Sequence, residues 1–110
     1  MGNSMSADTP SKNNKYVLRL YVAGKTPQSL IAEQNLRELC KEHLAGRCQI
    51  EIVDVLKNPD LAQHDQILVV PTLVRELPEP IRKFIGTLSN PHRVLVDLDL
   101  RLDDANVITR

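Results

Sequence analysis

The residues best placed for phosphate chemistry form the run Ala23-Gly24-Lys25-Thr26, between a predicted strand and a predicted helix. A complete phosphate-binding loop also needs a glycine where this chain has Arg19, and Pro27 removes a further amide donor. Without those groups the run cannot cradle a phosphate through its backbone. We therefore interpret it as a capped helix start.

The remaining candidates for catalysis are two cysteines, three histidines and a pair of carboxylates. Cys40 and Cys48 have no repeated spacing and do not suggest a disulfide framework, and we place Cys40 in the core. A thioredoxin-like fold would carry its Cys-x-x-Cys pair just before the first helix, and no cysteine is found there. The three histidines are His43, His64 and His92. None of them lies at a spacing from a cysteine or carboxylate that is typical of metal ligands. In a strand Asp97 and Asp99 would lie on one face, but they lack a His, Lys or metal set for acid–base work, so we interpret them as solvated surface. We predict no catalytic residue, no metal site and no cofactor.

Composition and charge narrow the class of partner. The 110 residues suffice for one domain, and the formal net charge is zero with only 3% aromatic residues. Neither nucleic acid nor an acidic membrane surface is therefore an expected binding partner, because the chain lacks both a net positive charge and aromatic stacking groups. No apolar stretch has the length of a membrane span or a signal peptide, so we expect a cytoplasmic protein. We predict a disordered leader over residues 1–14, a folded domain over 15–102 and a short tail over 103–110.

The first half predicts a βαβ unit. Residues 16–22 are β-branched and aromatic, which is typical of a central strand. Thr26-Pro27 supplies a capping hydroxyl and a proline at the first helical position, and apolar residues then recur at helical spacing up to Gly46. Apolar and polar residues alternate over residues 49–55, which predicts a second strand. A crossover of this length implies parallel strands and an α/β fold.

The second half admits two interpretations. Asn58-Pro59 resembles a helix start, and residues 67–70 form an apolar run of strand type. Pro71 then predicts an edge, a bend or a cis peptide. Residues 81–86 fit either a helical turn or a strand. Residues 94–102 alternate as a strand yet also carry a helical stripe, and periodicity does not decide between the two.

The chain as a whole resembles the KaiB family. The matching stretches are YVLRLYVAGKTPQS at residues 16–29, IVDVLKNP at 52–59, ILVVPTL at 67–73, LPEPIR at 77–82 and VLVDLDL at 94–100. The resemblance implies two folds for one sequence. The ground state has the order βαββααβ and packs as a homotetramer; a rarer thioredoxin-like state has the order βαβαββα and binds the ATPase ring of KaiC.

Five residues are candidates for controlling the rate of exchange or the balance between the two folds. Pro71, Pro78 and Pro80 are candidate switch residues, because X-Pro isomerisation is slow. Asp97 and Asp99 are the other two, and relatives of the clock type commonly carry glycine at the first of these positions. Together with the missing acidic tail of many members, this difference suggests a divergent or non-cyanobacterial member.

The function predicted from the resemblance is non-enzymatic regulation of a KaiC-type ATPase, with a circadian or timing role. KaiA or a SasA-like histidine kinase would be further partners, and the free protein would be a homotetramer or dimer. The contact surface is predicted on the first helix and second strand, with the candidates Lys25, Arg47, Lys57 and Asn58. One alternative is a thioredoxin-like interaction domain in stress or histidine-kinase signalling without a circadian role. Another is a redox or peroxide-handling protein, which would need a reactive thiol at Cys40 or Cys48.

Overall fold

A computed structural model describes residues 15–100, in which a four-stranded mixed sheet carries helices on both faces. The strands are β1 (Tyr16–Val22), β2 (Cys48–Asp54), β3 (Thr72–Leu77) and β4 (Arg82–Ile85). The helices are α1 (Pro27–His43), α2 (Pro59–His64) and α3 (Pro91–Asp97). The element order is therefore βαβαββα, the thioredoxin-like order of the two considered above. No helix within the described range has the length and apolarity needed to cross a membrane.

The sheet has the strand order β2-β1-β3-β4. Strands β1 and β2 are parallel, as the crossover rule predicts, and their register runs from Tyr16 opposite Cys48 to Val22 opposite Asp54. Strand β3 is antiparallel to both β1 and β4. Because β1 and β2 are parallel, their carboxyl ends lie at one edge of the sheet.

Helix α1 starts and stops where its sequence signals indicate. The Thr26 hydroxyl oxygen accepts a hydrogen bond from the Ser29 amide at 3.3 Å, and Pro27 follows as the first helical residue. At the other end, the amides of Leu44 and Gly46 both donate to the Cys40 carbonyl. Gly46 has φ 73°, a left-handed conformation that glycine adopts without strain.

Two apolar clusters cover the two faces of the sheet. The larger one packs α1 and α3 on the strands, and it contains Leu18, Leu20, Leu36, Leu73 and Leu98, all fully buried. Each of these leucines contributes on the order of 2 kcal/mol by leaving water. The smaller cluster lies under α2 and consists of Tyr21, Val53, Ala62 and Val74.

The structure decides the ambiguous segments of the second half. Residues 67–70, predicted as strand type, lie outside any strand, and β3 begins only at Thr72. The Val70–Pro71 peptide is cis, one of the three possibilities considered, and Leu77–Pro78 and Glu79–Pro80 are also cis. Residues 82–85 are a strand, and residues 91–97 are a helix.

The structure contains a disulfide that the cysteine spacing does not suggest. Cys40 and Cys48 form a disulfide, with their Cα atoms 6.1 Å apart. The turn at residues 44–47 reverses the chain and brings the end of α1 beside the start of β2. A pair only eight residues apart gives no framework pattern in sequence, so only this turn reveals it. The proposed leader and tail lie outside the described residues.

Candidate protein-binding surface

Three of the four predicted partner-binding residues come together in the structure. Lys25 follows β1, and Lys57 and Asn58 follow β2, so all three lie at the carboxyl ends of the parallel strands, and all are exposed. We call the loops 23–26 and 54–58 the carboxyl edge. Arg47 precedes β2 at the opposite end of the sheet, roughly 20 Å away at about 3.3 Å per strand residue.

A single carboxylate that sequence reasoning missed holds the carboxyl edge together. Asp54 Oδ1 accepts hydrogen bonds from the amides of Gly24, at 3.1 Å, and Leu56, at 2.9 Å. The Asp54 carbonyl accepts another from the Asn58 side chain at 3.1 Å. The bond to the amide two residues later is an Asx turn, a local signal that could have identified Asp54 from the sequence. Part of the role of Asn58 is therefore to fix the loop.

Apolar side chains accompany the two lysines. Leu56 of the carboxyl edge is 72% exposed, and Leu30 and Ile31 on the first turns of α1 are about half exposed. Beyond α2, Leu68 is 92% exposed and lines an open cleft of about 790 Å³ with Val55. Aliphatic groups exposed beside charges are typical of protein-binding surfaces. Residues 67–70 were predicted as a strand-type run, so this exposure was not anticipated.

A polar cluster supports the sheet from the α2 side. Arg19, in the middle of β1, lies 2.8 Å from Glu51 of β2, 3.2 Å from Asp65 after α2 and 3.3 Å from Glu76 of β3. We call these four residues, with Tyr21, the Arg19 cluster. Its signal in the sequence is a charged residue inside an otherwise apolar strand.

The Arg19 cluster shifts the pKa values of its members. Burial raises the pKa of Glu76 above its ordinary value, and the neighbouring Asp65 carboxylate raises it further. Burial alone would also raise the pKa of Asp65, but hydrogen bonds from Tyr21 and Glu76 and the charge of Arg19 lower it overall. The two acids therefore differ in how readily they hold a proton, with Glu76 the more readily protonated.

Tyr21 gives a pH-dependent contribution to stability that can be tested. Its hydroxyl donates to Asp65 Oδ2 at 2.5 Å, and burial together with this bond raises its pKa to about 12. Because the folded pKa exceeds the unfolded value of about 10, this contribution is complete below pH 10 and is lost as pH rises through about 12. We expect Tyr21→Phe to lower the unfolding free energy by about 1–2 kcal/mol at neutral pH and to remove this alkaline loss. Urea unfolding at neutral and alkaline pH measures both effects.

The control for this experiment is Tyr16→Phe, since Tyr16 packs in the larger cluster on the other face. The Tyr16 variant should keep the alkaline loss of stability. An unchanged alkaline profile in Tyr21→Phe would contradict the assignment to Tyr21.

Arg75 joins two of the predicted switch residues. It lies in β3, is only 3% exposed, and donates from Nη1 to the Asp99 carbonyl at 3.1 Å and from Nη2 to the Pro80 carbonyl at 2.8 Å. Asp99 has φ 52°, an uncommon conformation for aspartate. Sequence reasoning did not single out Arg75, because nothing local distinguishes it from a surface arginine.

The other predicted switch residues lie apart. Pro71 is buried before β3, and Pro78 belongs to the same turn as Pro80. Asp97 is exposed at the end of α3, with its Oδ2 atom 3.9 Å from Arg93 Nε. Asp97 and Asp99 therefore do not share one face of a strand.

Two of the histidines considered as metal ligands lie near each other in the structure. The rings of His43 and His92 approach to 6.4 Å between centroids, although they are distant in sequence. Within residues 15–100, no three His, Cys, Asp or Glu side chains gather as metal ligands.

Comparisons with known proteins agree on one family and one fold. The family model described as "KaiB domain" matches residues 19–100. A circadian clock oscillator protein KaiB of Prochlorococcus marinus (strain MIT 9303) is 47% identical over 94 residues, which cover 86% of this chain and 79% of that protein. The protein of the same name from Trichodesmium erythraeum (strain IMS101) is 48% identical over 91 residues, covering 83% of this chain and 88% of that one.

Solved structures of proteins with little sequence identity to this chain share its fold. The N-terminal domain of Synechococcus elongatus SasA aligns with a TM-score of 0.65 at 16% identity, covering 86% of this chain and 90% of that one. Mitochondrial thioredoxin 3 from Saccharomyces cerevisiae aligns with a TM-score of 0.63 at 18% identity, covering 84% and 86%. The predicted thioredoxin-like fold is thus confirmed.

Proposed function

Since the chain belongs to the KaiB family, we propose that it is a non-enzymatic, protein-binding regulator of a KaiC-type ATPase with a role in circadian timing. The observation that carries the proposal is the element order βαβαββα. The family resemblance associates this order with the state that binds the KaiC ring. The proposal includes a cytoplasmic location.

The carboxyl edge and the first turns of α1 are the proposed contact surface. Lys25 and Lys57 supply two exposed positive charges, and Leu30, Ile31 and Leu56 supply exposed aliphatic surface beside them. Such a surface fits a partner with acidic side chains around an apolar centre, because complementary charge speeds encounter and apolar contact slows release. Asp54 keeps both loops in place for this contact through its bonds to Gly24 and Leu56.

Charge reversal at the carboxyl edge tests this surface. We expect the double variant Lys25→Glu/Lys57→Glu to bind a KaiC-type ring in the presence of ATP about tenfold more weakly or worse, since two attractive charges become repulsive. Size-exclusion chromatography with light scattering and a binding titration against wild-type and phosphomimetic rings measure the effect.

Arg47→Glu is the matched control, because it makes the same kind of charge change at the opposite end of the sheet. Binding by this variant should stay within about twofold of the wild type. Equal losses in the control and the double variant would place the contact elsewhere. A wild-type chain that ignores the ring under every nucleotide and phosphomimetic condition would end the KaiC proposal.

The same chromatography bears on the oligomeric state. We infer that the free chain is a tetramer or dimer in the alternative arrangement and binds the ring as a monomer in the thioredoxin-like arrangement. A free oligomer that becomes a ring-bound monomer would support selection of one fold by the partner. A free monomer that binds the ring without change would limit the proposal to the thioredoxin-like state.

A second candidate function is an interaction domain in histidine-kinase or stress signalling without a circadian role. The fold shared with the SasA N-terminal domain favours this candidate. In the first function, a SasA-like sensor domain competes with this chain for the ring, and KaiA is captured by the complex. In the second, the chain binds a signalling partner in the absence of any ring.

A further inference from the structure

The disulfide between Cys40 and Cys48 lies in a turn that positions both residues through the backbone. The amides of Leu44 and Gly46 donate to the Cys40 carbonyl at 3.1 and 3.0 Å. The Arg47 carbonyl accepts from the Tyr16 amide at 2.9 Å and so fixes the start of β2 against β1. None of these bonds requires the disulfide. The two thiols of a reduced chain would therefore remain adjacent, ready to pair without rearrangement of the backbone.

The pair can be reached from solvent. Cys48 is partly exposed, whereas Cys40 is 5% exposed and lines an open cleft of about 550 Å³. Arg37 and Lys41 line the same cleft, with Arg37 Nη2 held 3.0 Å from Glu33. Positive charge at the mouth of the cleft attracts an anionic thiol reagent.

We propose that Cys40 and Cys48 form a reversible thiol–disulfide switch that exchanges with a small anionic thiol couple, of which glutathione is the type. In the oxidising direction the more exposed Cys48 thiolate attacks a sulfur of glutathione disulfide, forms a mixed disulfide and releases one glutathione thiolate. The Cys40 thiolate then attacks the Cys48 sulfur and releases the second glutathione. The protein loses two electrons and two protons, and glutathione disulfide gains them.

Oxidation should stabilise the domain. The bond closes a short ring that joins the end of α1 to the start of β2, and this ring restricts the unfolded chain more than the folded one. The folded backbone already holds the two cysteines adjacent. We therefore expect the oxidised form to melt about 5 °C or more above the reduced form.

The test equilibrates the full chain with mixtures of reduced and oxidised glutathione, from fully reducing to strongly oxidising. Thiols are then trapped in acid, labelled with a maleimide polymer and counted by gel shift, and the melting temperature is read for each mixture. The expected result is a single transition within this range of mixtures, from two labelled thiols per chain to no labelled thiol. The melting temperature should rise over the same transition. Cys48→Ser is the matched control, in which Cys40 forms at most a mixed disulfide and the rise in melting temperature is absent.

Two results would overturn the proposal: a chain that keeps both thiols at the most oxidising mixture, or a disulfide that survives the most reducing one. The decision rests on the wild type, so a folding defect in Cys48→Ser would not obscure it. No partner protein takes part in the measurement. Its outcome is therefore separate from that of the KaiC-binding proposal.

Discussion

Replacing Arg75 with methionine is expected to lower the free energy of unfolding by about 3 kcal/mol and to loosen α3 from the sheet. The guanidinium is buried and donates to the Pro80 and Asp99 carbonyls, one in the β3–β4 turn and one just after α3. Methionine fills similar volume but donates nothing, so both carbonyls lose a charged donor. Each lost bond of this type costs on the order of 1.5 kcal/mol or more.

Urea unfolding followed by circular dichroism measures the loss, and hydrogen exchange at the Leu98 and Leu100 amides reports on the end of α3. Arg82→Met is the control, because Arg82 lies opposite Arg75 in the β3–β4 register and is exposed. The Arg82 substitution should cost less than about 0.5 kcal/mol. Arg75→Lys should fall between the two, since one ammonium group lacks the fork that reaches both carbonyls. Equal stabilities for Arg75→Met and Arg82→Met would contradict the role given to the guanidinium.

The first half of the fold could be predicted because its local signals agree with one another. The β-branched run of β1, the Thr26-Pro27 start of α1 and the Gly46 stop each indicate the element that the structure contains. The crossover rule then leaves parallel pairing as the expected arrangement of β1 and β2. Little in this half depends on residues that are distant in sequence.

The end of the chain could not be assigned in the same way, because residues 94–100 carry two periodicities at once. The structure uses the helical one. Val94 and Leu98, four residues apart, are both fully buried, whereas Val96 between them is 75% exposed. Asn90 caps the helix by accepting a hydrogen bond from the Arg93 amide at 3.3 Å. A strand would have placed Val94, Val96 and Leu98 on one face, so the choice depends on which surface the sheet offers.

The structural features that the sequence analysis missed share one physical cause. Asp54, Arg75 and the Cys40–Cys48 pair all act through contacts made by the folded chain, and a sequence pattern records residue types at fixed spacing only. Arg47 shows how strand direction separates residues that are predicted together. It was grouped with Lys25 and Lys57 by charge and by proximity to β2, but strand direction places it at the far end of the sheet. Residue type alone does not record which of these positions lie together, because that depends on the topology of the sheet.

Replacing Arg19 with methionine is the second substitution for which we expect a large effect, a loss of about 3 kcal/mol at neutral pH. Arg19 is the cation shared by Glu51, Asp65 and Glu76, with nitrogen–oxygen distances of 2.8, 3.2 and 3.3 Å. Its removal leaves three carboxylates close together on a partly buried face. A lone buried charge costs more than the pair that it replaces, because its desolvation is no longer compensated.

The pH dependence distinguishes this loss from a simple loss of packing. In the wild type, Asp65 has a lowered pKa, so its contribution is present above the unfolded value of about 4 and is lost as pH falls through its folded value. Glu76 has a raised pKa, so its contribution is present at low pH and is lost as pH rises through its folded value. Without Arg19 both carboxyl groups should hold protons to higher pH. As pH rises from about 4 to 7, the unfolding free energy of the variant should therefore fall more steeply than that of the wild type.

Urea unfolding across this pH range measures the slope, and Arg37→Met is the matched control. Arg37 also pairs with a glutamate, Glu33, but on the exposed face of α1, where such a pair contributes about 0.3–0.5 kcal/mol. The control should change stability by no more than that and should leave the pH dependence close to that of the wild type. Parallel pH curves for Arg19→Met and the wild type would mean that the arginine acts by filling space. A steeper curve would mean that the charge of Arg19 is what allows three acids of β2, β3 and the segment after α2 to lie close together.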